Sequence, residues 1–266
     1  NGFWIDETEV TNAQFAAFVK ATSYVTYAER EAKLEDFPAE ARESLPPFPF
    51  KQGSIIFIPN SHTEGDPNAP GQYLNWWTWE PEANWRSPMG KGSNLTGKDS
   101  EPVVCVTIED AQAYAKWAGK RLPTEAEWEF ASRGGLVQTL YTWGDKPAAT
   151  GKPMCNSWQG KFPNENTAED GFAFIAPVKQ YPANGFGLYD MAGNVWEWTI
   201  SRHVSYPYQP DDGREDAAGG LEAERERRHV EQENVFHFAL EHAALDAGAD
   251  GDDFVRIHAL MRRLVD

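Results

Sequence analysis

The chain has 266 residues, 41% of them hydrophobic, and a formal net charge of −17 at pH 7. That length can bury the core of one large domain or of two smaller ones. The acidic charge argues against a nucleic-acid partner, and because the sequence holds no run of about 18 apolar residues, it predicts no membrane span. No signal peptide is visible, so we expect a soluble protein and favour the cytoplasm.

The first part of the chain predicts short strands and one helix. Residues 3–10 alternate loosely between apolar and polar side chains, which indicates a strand. Thr11 and Gln14 form the capping box of a helix that should end near Ala21. After a charged, proline-rich stretch, residues 54–58 predict a second strand.

Tryptophans are dense in the region that follows, between residues 73 and 86. Indole rings at this density either fill a core or line a binding groove, and the residues alone leave both interpretations open. Arg86 suits either one, because a guanidinium group can stack on an aromatic ring or pair with a carboxylate.

Two helices with matched N-caps are predicted in the middle of the chain. Thr107 with Asp110 three residues later begins the first helix, for which Gly119 is the expected C-cap. Thr124 with Glu127 begins the second helix in the same way. These paired signals make this the best-defined local structure that the sequence predicts.

Residues 184–199 predict a loop that turns repeatedly, since glycine and asparagine tolerate positive φ and recur there. The residues between them are apolar, so the loop should be buried and must satisfy its backbone carbonyl groups without a helix or a sheet. A calcium ion can do this. Asp190 and Glu197 would supply carboxylate oxygens, and Gly193 and Val195 would supply carbonyl oxygens.

A second oxygen-rich stretch covers residues 156–172. Its asparagine, aspartate and backbone oxygens are the hard donors that calcium prefers. Their spacing is too irregular for an EF-hand, so the residues alone leave a metal site open here.

Three motifs carry a family resemblance. They are Gly-Leu-Tyr-Asp-Met-Ala-Gly-Asn-Val-Trp-Glu-Trp-Thr at residues 187–199, Trp-Ala-Gly-Lys-Arg-Leu-Pro-Thr-Glu-Ala-Glu-Trp-Glu-Phe-Ala-Ser-Arg-Gly-Gly at residues 117–135, and the stretch 156–172. Together they resemble the formylglycine-generating enzyme, or sulfatase-modifying factor, family from about residue 3 to residue 199. The resemblance implies an irregular, loop-rich α+β fold, related to C-type lectins, with short strands, few helices and structural calcium ions.

The resemblance also implies particular site residues. The ligands of a first calcium ion would be Asn156, Ser157, Asp170 and Phe172. Those of a second would be Asp190, Gly193, Val195 and Glu197, with Glu9 as a further candidate. Alternatively, Glu9 binds no metal and is simply an acidic residue near a helix N-terminus, where the helix dipole favours negative charge. A groove for an unfolded sulfatase peptide would involve Trp79, Trp85 and Arg86.

Family members that make formylglycine carry two cysteines in their last quarter, which bind Cu(I), a metal that soft thiolates select. With O2, that centre oxidises the cysteine of a Cys-x-Pro-x-Arg segment to an aldehyde. Here no cysteine follows Cys155. Cys105 lies in an apolar stretch, residues 102–106, that predicts a strand and an inert core thiol. We therefore expect no copper centre and no catalytic residue in this chain.

The last part of the chain differs in composition from the rest. We divide the sequence into a family-like domain, residues 1–199, incomplete at both ends, and an unrelated helical tail, residues 200–266, with helices over 221–247 and 254–265. Four residues of the tail recur at intervals of four on one face of the first predicted helix: His229, Glu233, His237 and Glu241. This ladder could bind a metal, and ordinary i,i+4 side-chain pairing on a solvated face also explains it. A fusion, a frame shift and true divergence are all compatible with this tail.

Three functions follow from these observations. The first is a copper-dependent oxidase that modifies sulfatases, which the missing cysteine pair argues against. The second is a non-catalytic, calcium-stabilised module that binds a peptide or another ligand. The third is a relative of iron-dependent sulfoxide synthases, which would need a set of histidine ligands.

Overall fold

The computed structural model describes residues 2–37, 39–59, 76–146, 152–162, 165–202, 207–209 and 211–214. The chain divides into two compact units. We call them the amino unit, which is Glu9–Ile58 with Asn75–Leu122, and the carboxy unit, which is Asn1–Thr8, Pro59–Leu74 and Pro123–Asp266.

The amino unit contains two helices and a small sheet in its described part. Helix α1 is Asn12–Thr22 and helix α2 is Ile108–Trp117. Strands β1, Ser54–Phe57, and β2, Trp77–Glu80, pair antiparallel. Between α1 and β1 the chain forms three 3-10 turns, Tyr27–Glu29, Leu34–Asp36 and Ala39–Ser44.

Local capping chemistry defines where the helices begin, as predicted. The Thr11 hydroxyl accepts the backbone N–H of Gln14, and the Gln14 side chain accepts the backbone N–H of Thr11. The same reciprocal pair forms between Thr107 and Asp110 at the start of α2. Each box satisfies two backbone donors that a helix start leaves without intrahelical partners, and all the predicted capping boxes are confirmed.

Aromatic side chains form the core of the amino unit. Phe15 and Phe18 of α1 are 1% and 2% exposed, and Trp85 is 1% exposed. The rings of Phe15 and Trp85 meet edge to face with centroids 5.2 Å apart. Because Phe15 and Phe18 lie three residues apart on one face of α1, burying that face anchors the helix to the tryptophan.

Asp110 is a buried polar hub of the amino unit. Its side chain is 0% exposed, and its carboxylate accepts the hydroxyl of Tyr24 at 3.1 Å and the backbone N–H of Tyr27 at 3.0 Å. It also accepts the backbone N–H of Thr107 at 2.9 Å. Asp110 therefore joins α2 to the turn that follows α1.

The burial of Asp110 makes stability depend on pH. Desolvation raises its pKa above the ordinary 3.8, although the hydrogen bonds from Thr107 and Tyr27 act in the opposite direction. A raised pKa in the folded state gives a stabilisation that is complete below about pH 4 and is lost as the pH rises through that pKa. We expect the unfolding free energy of the wild type, minus that of Asp110→Asn, to fall in urea titrations as the pH rises above about 4. A difference that stays constant or grows would contradict this.

The carboxy unit contains helix α3, Glu125–Arg133, whose capping box is Thr124 with Glu127. The helix ends at Gly134, which has a φ of 58° in the left-handed region. A small cluster packs against it: Leu188 and Met191 are buried beside Ala131, with Phe3, Ile5 and Trp128 around them. The chain after Thr199 also contacts this helix, because the Ser201 hydroxyl accepts the N–H of Glu125 at 2.8 Å.

Two predicted strands are wrong. In residues 3–10 the backbone bonds run singly, from Tyr189 N to Glu7 O and from Val103 N to Val10 O, and form no ladder. In residues 102–106, Cys105 has a φ of 58°, a left-handed conformation that an extended strand cannot contain. Strand β1 is confirmed, one residue shorter than predicted.

The loop-rich α+β fold class is confirmed in its coarse form by short helices and a two-stranded sheet in the described ranges. The predicted tail helices and the ladder of His229, Glu233, His237 and Glu241 lie outside the described residues. The division at residue 199 stays a prediction. No described helix is long and apolar enough to cross a membrane.

Candidate functional site

Asn184 fastens the loop 184–199 to the end of helix α3. Its side-chain amide donates to the carbonyl oxygens of Ala131 at 2.8 Å and Ser132 at 3.2 Å, which are acceptors left over at the helix end. Its side-chain oxygen accepts the backbone N–H groups of Phe186 at 2.9 Å and Leu188 at 3.2 Å. One side chain thus caps the helix and folds the loop.

We expect Asn184→Ala to lower the free energy of unfolding by about 2 kcal/mol, because it removes four hydrogen bonds at a partly buried place. Asn166→Ala is the control, since Asn166 is a similarly half-buried asparagine whose three hydrogen bonds go to backbone groups of its own loop and not to a helix end. Chemical denaturation measures both variants. Equal losses from the two would show that the position at the helix end has no special value.

The loop turns as predicted. Gly187, Asp190, Gly193 and Asn194 have φ angles of 82°, 53°, 74° and 63°, all in the left-handed region. Its burial is mixed, because Leu188, Asp190 and Met191 are buried while Phe186 is 49% and Trp196 43% exposed. The expectation that the whole apolar loop is buried is therefore wrong for these two aromatic residues.

Asp170 forms hydrogen bonds to two other residues of the first predicted ligand set. Its carboxylate accepts the backbone N–H of Ser157 at 2.9 Å and that of Phe172 at 3.0 Å. The side-chain amide of Gln159 donates to the same carboxylate at 3.0 Å and to the Ser157 carbonyl at 2.8 Å. Three of the four predicted ligands, Ser157, Asp170 and Phe172, are thus brought together by direct bonds.

The second predicted set contains two carboxylates near each other. Asp190 is 8% exposed and accepts the backbone N–H of Lys179 at 2.7 Å, while burial raises its pKa. Glu197 accepts the indole N–H of Trp128 at 3.1 Å. Glu197 is exposed by its accessible surface, yet the protein packed around its carboxylate raises its pKa to about 7, and the charge of Asp190 adds to the rise. A cation would relieve the electrostatic cost of both groups.

The two sets touch through Asn156 and Asn194. The side-chain amide of Asn156 donates to the side-chain oxygen of Asn194 at 2.9 Å. The backbone N–H of Asn194 donates to the backbone carbonyl of Asn156 at 2.9 Å. Asn194 stands between Gly193 and Val195, whose carbonyls belong to the second set. The structure therefore joins the segments of the two predicted sets at Asn156 and Asn194, whereas Glu9 lies in the amino unit.

The donor chemistry of this region fits calcium. Carboxylate, amide and carbonyl oxygens predominate, and calcium takes six to eight such ligands in flexible geometry. No group of three or more His, Cys, Asp or Glu side chains suited to a metal occurs in the described ranges. A calcium site built largely from amide and carbonyl oxygens does not need such a group.

The three predicted groove residues occupy different environments. Trp85 is 1% exposed and belongs to the core, in accord with the core interpretation. Arg86 is exposed, with its guanidinium 4.2 Å from the centre of the Trp85 ring and its Nε 3.2 Å from Glu29. The Trp79 indole donates to the Gln52 carbonyl at 2.7 Å. Arg86 and Trp79 thus stay candidates for peptide contact.

The Cys105 thiol does not show the features of a copper ligand. Cys105 donates its thiol to the Pro88 carbonyl at 3.5 Å, and burial raises its pKa, which disfavours the thiolate that Cu(I) selects. Cys155 is partly buried and forms no disulfide. Because a pair of thiolates would need both cysteines, the residues present do not fit a Cu(I) centre.

A cleft of about 230 Å³ lies beside the loop in the carboxy unit. Its lining includes Asn184, Asp190, Trp143 and Met154. Its volume is below the roughly 300 Å³ at which small-molecule pockets begin, so we assign no organic ligand to it.

Sequence reasoning missed Asn184 and Asn194 as organising side chains. The sequence predicts a turn at Asn184, because asparagine accepts positive φ, and does not single out Asn194. Their long-range partners, the end of α3 and Asn156, carry no local sequence signal. An asparagine next to glycine in an apolar loop is the signal that could have suggested them.

Comparison with known proteins identifies the family. The family described as Sulfatase-modifying factor enzyme 1-like domain matches residues 1–237. The chain belongs to this family. The match confirms the resemblance carried by the three sequence motifs, and it extends beyond residue 199, where those motifs end.

Relatives of the sulfatase-modifying factor family include enzymes and an inactive protein. The chain is 48% identical over 196 residues to the formylglycine-generating enzyme of Streptomyces coelicolor, covering 74% of this chain and 56% of that protein. It is 45% identical over 210 residues to the formylglycine-generating enzyme of Mycobacterium tuberculosis, covering 79% and 66%. It is 43% identical over 214 residues to inactive C-alpha-formylglycine-generating enzyme 2 of Mus musculus, covering 78% and 59%. The chain thus spans between about half and two thirds of the length of these relatives.

Proposed function

We propose that this chain is a calcium-stabilised domain that binds an unfolded sulfatase segment containing Cys-x-Pro-x-Arg without oxidising its cysteine. The observation that carries the proposal is the state of its thiols. The chain has two cysteines, and the Cys105 thiol is hydrogen-bonded with a raised pKa. A thiolate pair for Cu(I) is not available from such residues.

Calcium would be held by the two connected oxygen clusters. Asp170 and the side chain of Asn156 would supply the first ion, with the carbonyls of Ser157 and Phe172. Asp190 and Glu197 would supply the second, with the carbonyls of Gly193 and Val195. When bound, calcium supplies charge neutralisation and cross-links between loop segments. Binding to the folded state alone raises stability by mass action.

The amino unit supplies the proposed peptide surface. Arg86 presents an exposed cation that Glu29 and the Trp85 ring hold in place, so a peptide carboxylate or carbonyl could bind it with little ordering cost. Trp79 lies in strand β2, where an indole can contact an extended chain. The resemblance to sulfatase-modifying proteins selects an unfolded sulfatase segment as the ligand class.

A turnover assay tests the proposal. The purified chain is incubated with a Cys-x-Pro-x-Arg peptide, Cu(I), O2 and calcium, and the peptide mass is measured. We expect binding of the peptide without the mass loss that marks conversion of cysteine to formylglycine. We also expect the melting temperature of the chain to rise with calcium, which shows that the sample is folded. Conversion would contradict the proposal and give Cys105 or Cys155 a catalytic part.

The runner-up is an oxidase of the same family, favoured by the 48% identity to a protein named formylglycine-generating enzyme. The same assay decides between the two, since they differ in the product and not in peptide binding. A Cys105→Ser, Cys155→Ser double variant is the matched control. Conversion that disappears in this variant would establish the oxidase.

The sulfoxide synthase alternative stays a prediction. All six histidines lie outside the described residues, so no iron-binding set can be built from the described side chains.

A further inference from the structure

Two hydrogen bonds connect the candidate calcium clusters through one residue pair. Asn156 belongs to the first ligand set, and its amide donates to the side-chain oxygen of Asn194 at 2.9 Å. The backbone N–H of Asn194 returns a bond to the Asn156 carbonyl at 2.9 Å. Asn194 lies directly between the two carbonyl ligands of the second set, Gly193 and Val195.

The position of Asn194 is fixed on its other side as well. Its side-chain oxygen accepts the N–H of Ala176 at 2.9 Å, and its amide donates to the Ala176 carbonyl at 3.3 Å. Ala176 is 1% exposed, so the anchor is buried. The residue has a φ of 63°, which a short polar side chain tolerates better than most others.

The backbone next to Asn194 packs closely against Asn156. A Cβ placed on Gly193 would lie 2.1 Å from the Asn156 carbonyl oxygen. The two segments therefore pack backbone against backbone. Asn156 cannot move toward this segment without displacing Gly193, and the two Asn156–Asn194 hydrogen bonds oppose movement away from it.

We propose that Asn194 is a positioning residue that couples two calcium sites, so that each ion strengthens the binding of the other. This inference rests on the calcium sites of the proposed function. An ion on the Asn156 side-chain oxygen fixes that side chain, whose amide orders Asn194 and hence the carbonyls on either side of it. The second ion then binds a segment that is already ordered, which is the physical origin of positive coupling.

Calcium calorimetry on chelator-treated protein tests the coupling. Asp170→Asn removes the first site and leaves the second, and Asp190→Asn does the reverse. The overall constant for binding two ions to the wild type, divided by the product of the two single-site constants, is the coupling factor. We expect a factor of roughly five or more, the lower end of ordinary allosteric couplings.

Asn194→Ala in the same three backgrounds should reduce the coupling factor to about one. Asn166→Ala is the matched control: its side chain bonds the backbone of Gln159, Ala168 and Ala173 and contacts the first cluster's segment alone. We expect it to leave the factor unchanged. A merely structural loss would lower both single-site constants and leave the coupling factor, which is the overall constant divided by their product, unchanged.

Hydrogen exchange gives a second readout that needs one variant. In the Asp190→Asn variant, calcium bound at the first site should slow hydrogen exchange at the backbone N–H of Asn194, although Asn194 lies in the loop of the second ligand set. An unchanged exchange rate with calcium bound overturns the coupling, as does a wild-type factor of one with two ions bound. Absence of any calcium binding overturns the calcium sites themselves, so the two failures are distinguishable.

Discussion

Replacing Asp110 by alanine is expected to lower the free energy of unfolding by about 3 kcal/mol or more. The side chain is fully buried, and its removal leaves the Tyr24 hydroxyl and the backbone N–H groups of Tyr27 and Thr107 without their acceptor. Each buried donor that loses its partner costs about 1–3 kcal/mol. In a chain of this size the melting temperature should fall by roughly 6 °C or more.

Glu109→Ala is the matched control, because Glu109 is the neighbouring acidic residue of the same helix. Glu109 pairs with Arg30 at 2.8 Å, but the two side chains are 41% and 37% exposed. Exposed ion pairs contribute at most about 1 kcal/mol, so this variant should stay close to the wild type in urea titrations. Equal losses from the two variants would show that loss of negative charge on α2, and not loss of the buried acceptor, sets the cost.

The helix starts could be predicted from sequence because their determinants are local. Thr107 and Asp110 are three residues apart, so one turn of chain contains both partners of the capping box. What could not be predicted is that the same Asp110 also accepts hydrogen bonds from Tyr24 and Tyr27, which are distant in sequence. No periodicity encodes a contact of that kind.

A predicted strand was confirmed only where the segment pairs with a second strand. Residues 54–57 and 77–80 pair as antiparallel strands. Residues 102–106 have an apolar composition typical of a strand, yet the left-handed φ of Cys105 interrupts them. An apolar run indicates burial, whereas strand formation depends on a partner that the run itself does not specify.

In the candidate site, too, local residue types could be interpreted from sequence, whereas long-range contacts could not. The residue types of both ligand sets pointed to oxygen ligands, and the family resemblance grouped them. Their mutual arrangement depends on Asn184 and Asn194, which bond helix α3 and Asn156 across long stretches of chain. The candidate oxygen ligands could therefore be proposed from sequence, whereas the asparagines that hold their segments together could not.

Gly193→Ala is expected to lower the free energy of unfolding by about 3 kcal/mol or more and to abolish the calcium-dependent rise in melting temperature. The new Cβ would lie 2.1 Å from the Asn156 carbonyl oxygen and 3.3 Å from the Cys155 Cβ. Backbone atoms cannot swing aside, so the two segments must separate. Separation would displace the Gly193 carbonyl and Asn156, which are proposed ligands of different ions.

Gly187→Ala isolates the clash from the conformational cost. Gly187 lies in the same loop at a φ of 82°, and a Cβ there would meet nothing within 4 Å. We expect it to cost about 1–2 kcal/mol, the strain of a left-handed alanine, and to keep the response to calcium. Thermal melts of both variants with calcium and with chelator measure the two effects. If Gly193→Ala behaves like Gly187→Ala in both conditions, the contact between Gly193 and Asn156 does not hold the proposed calcium sites together.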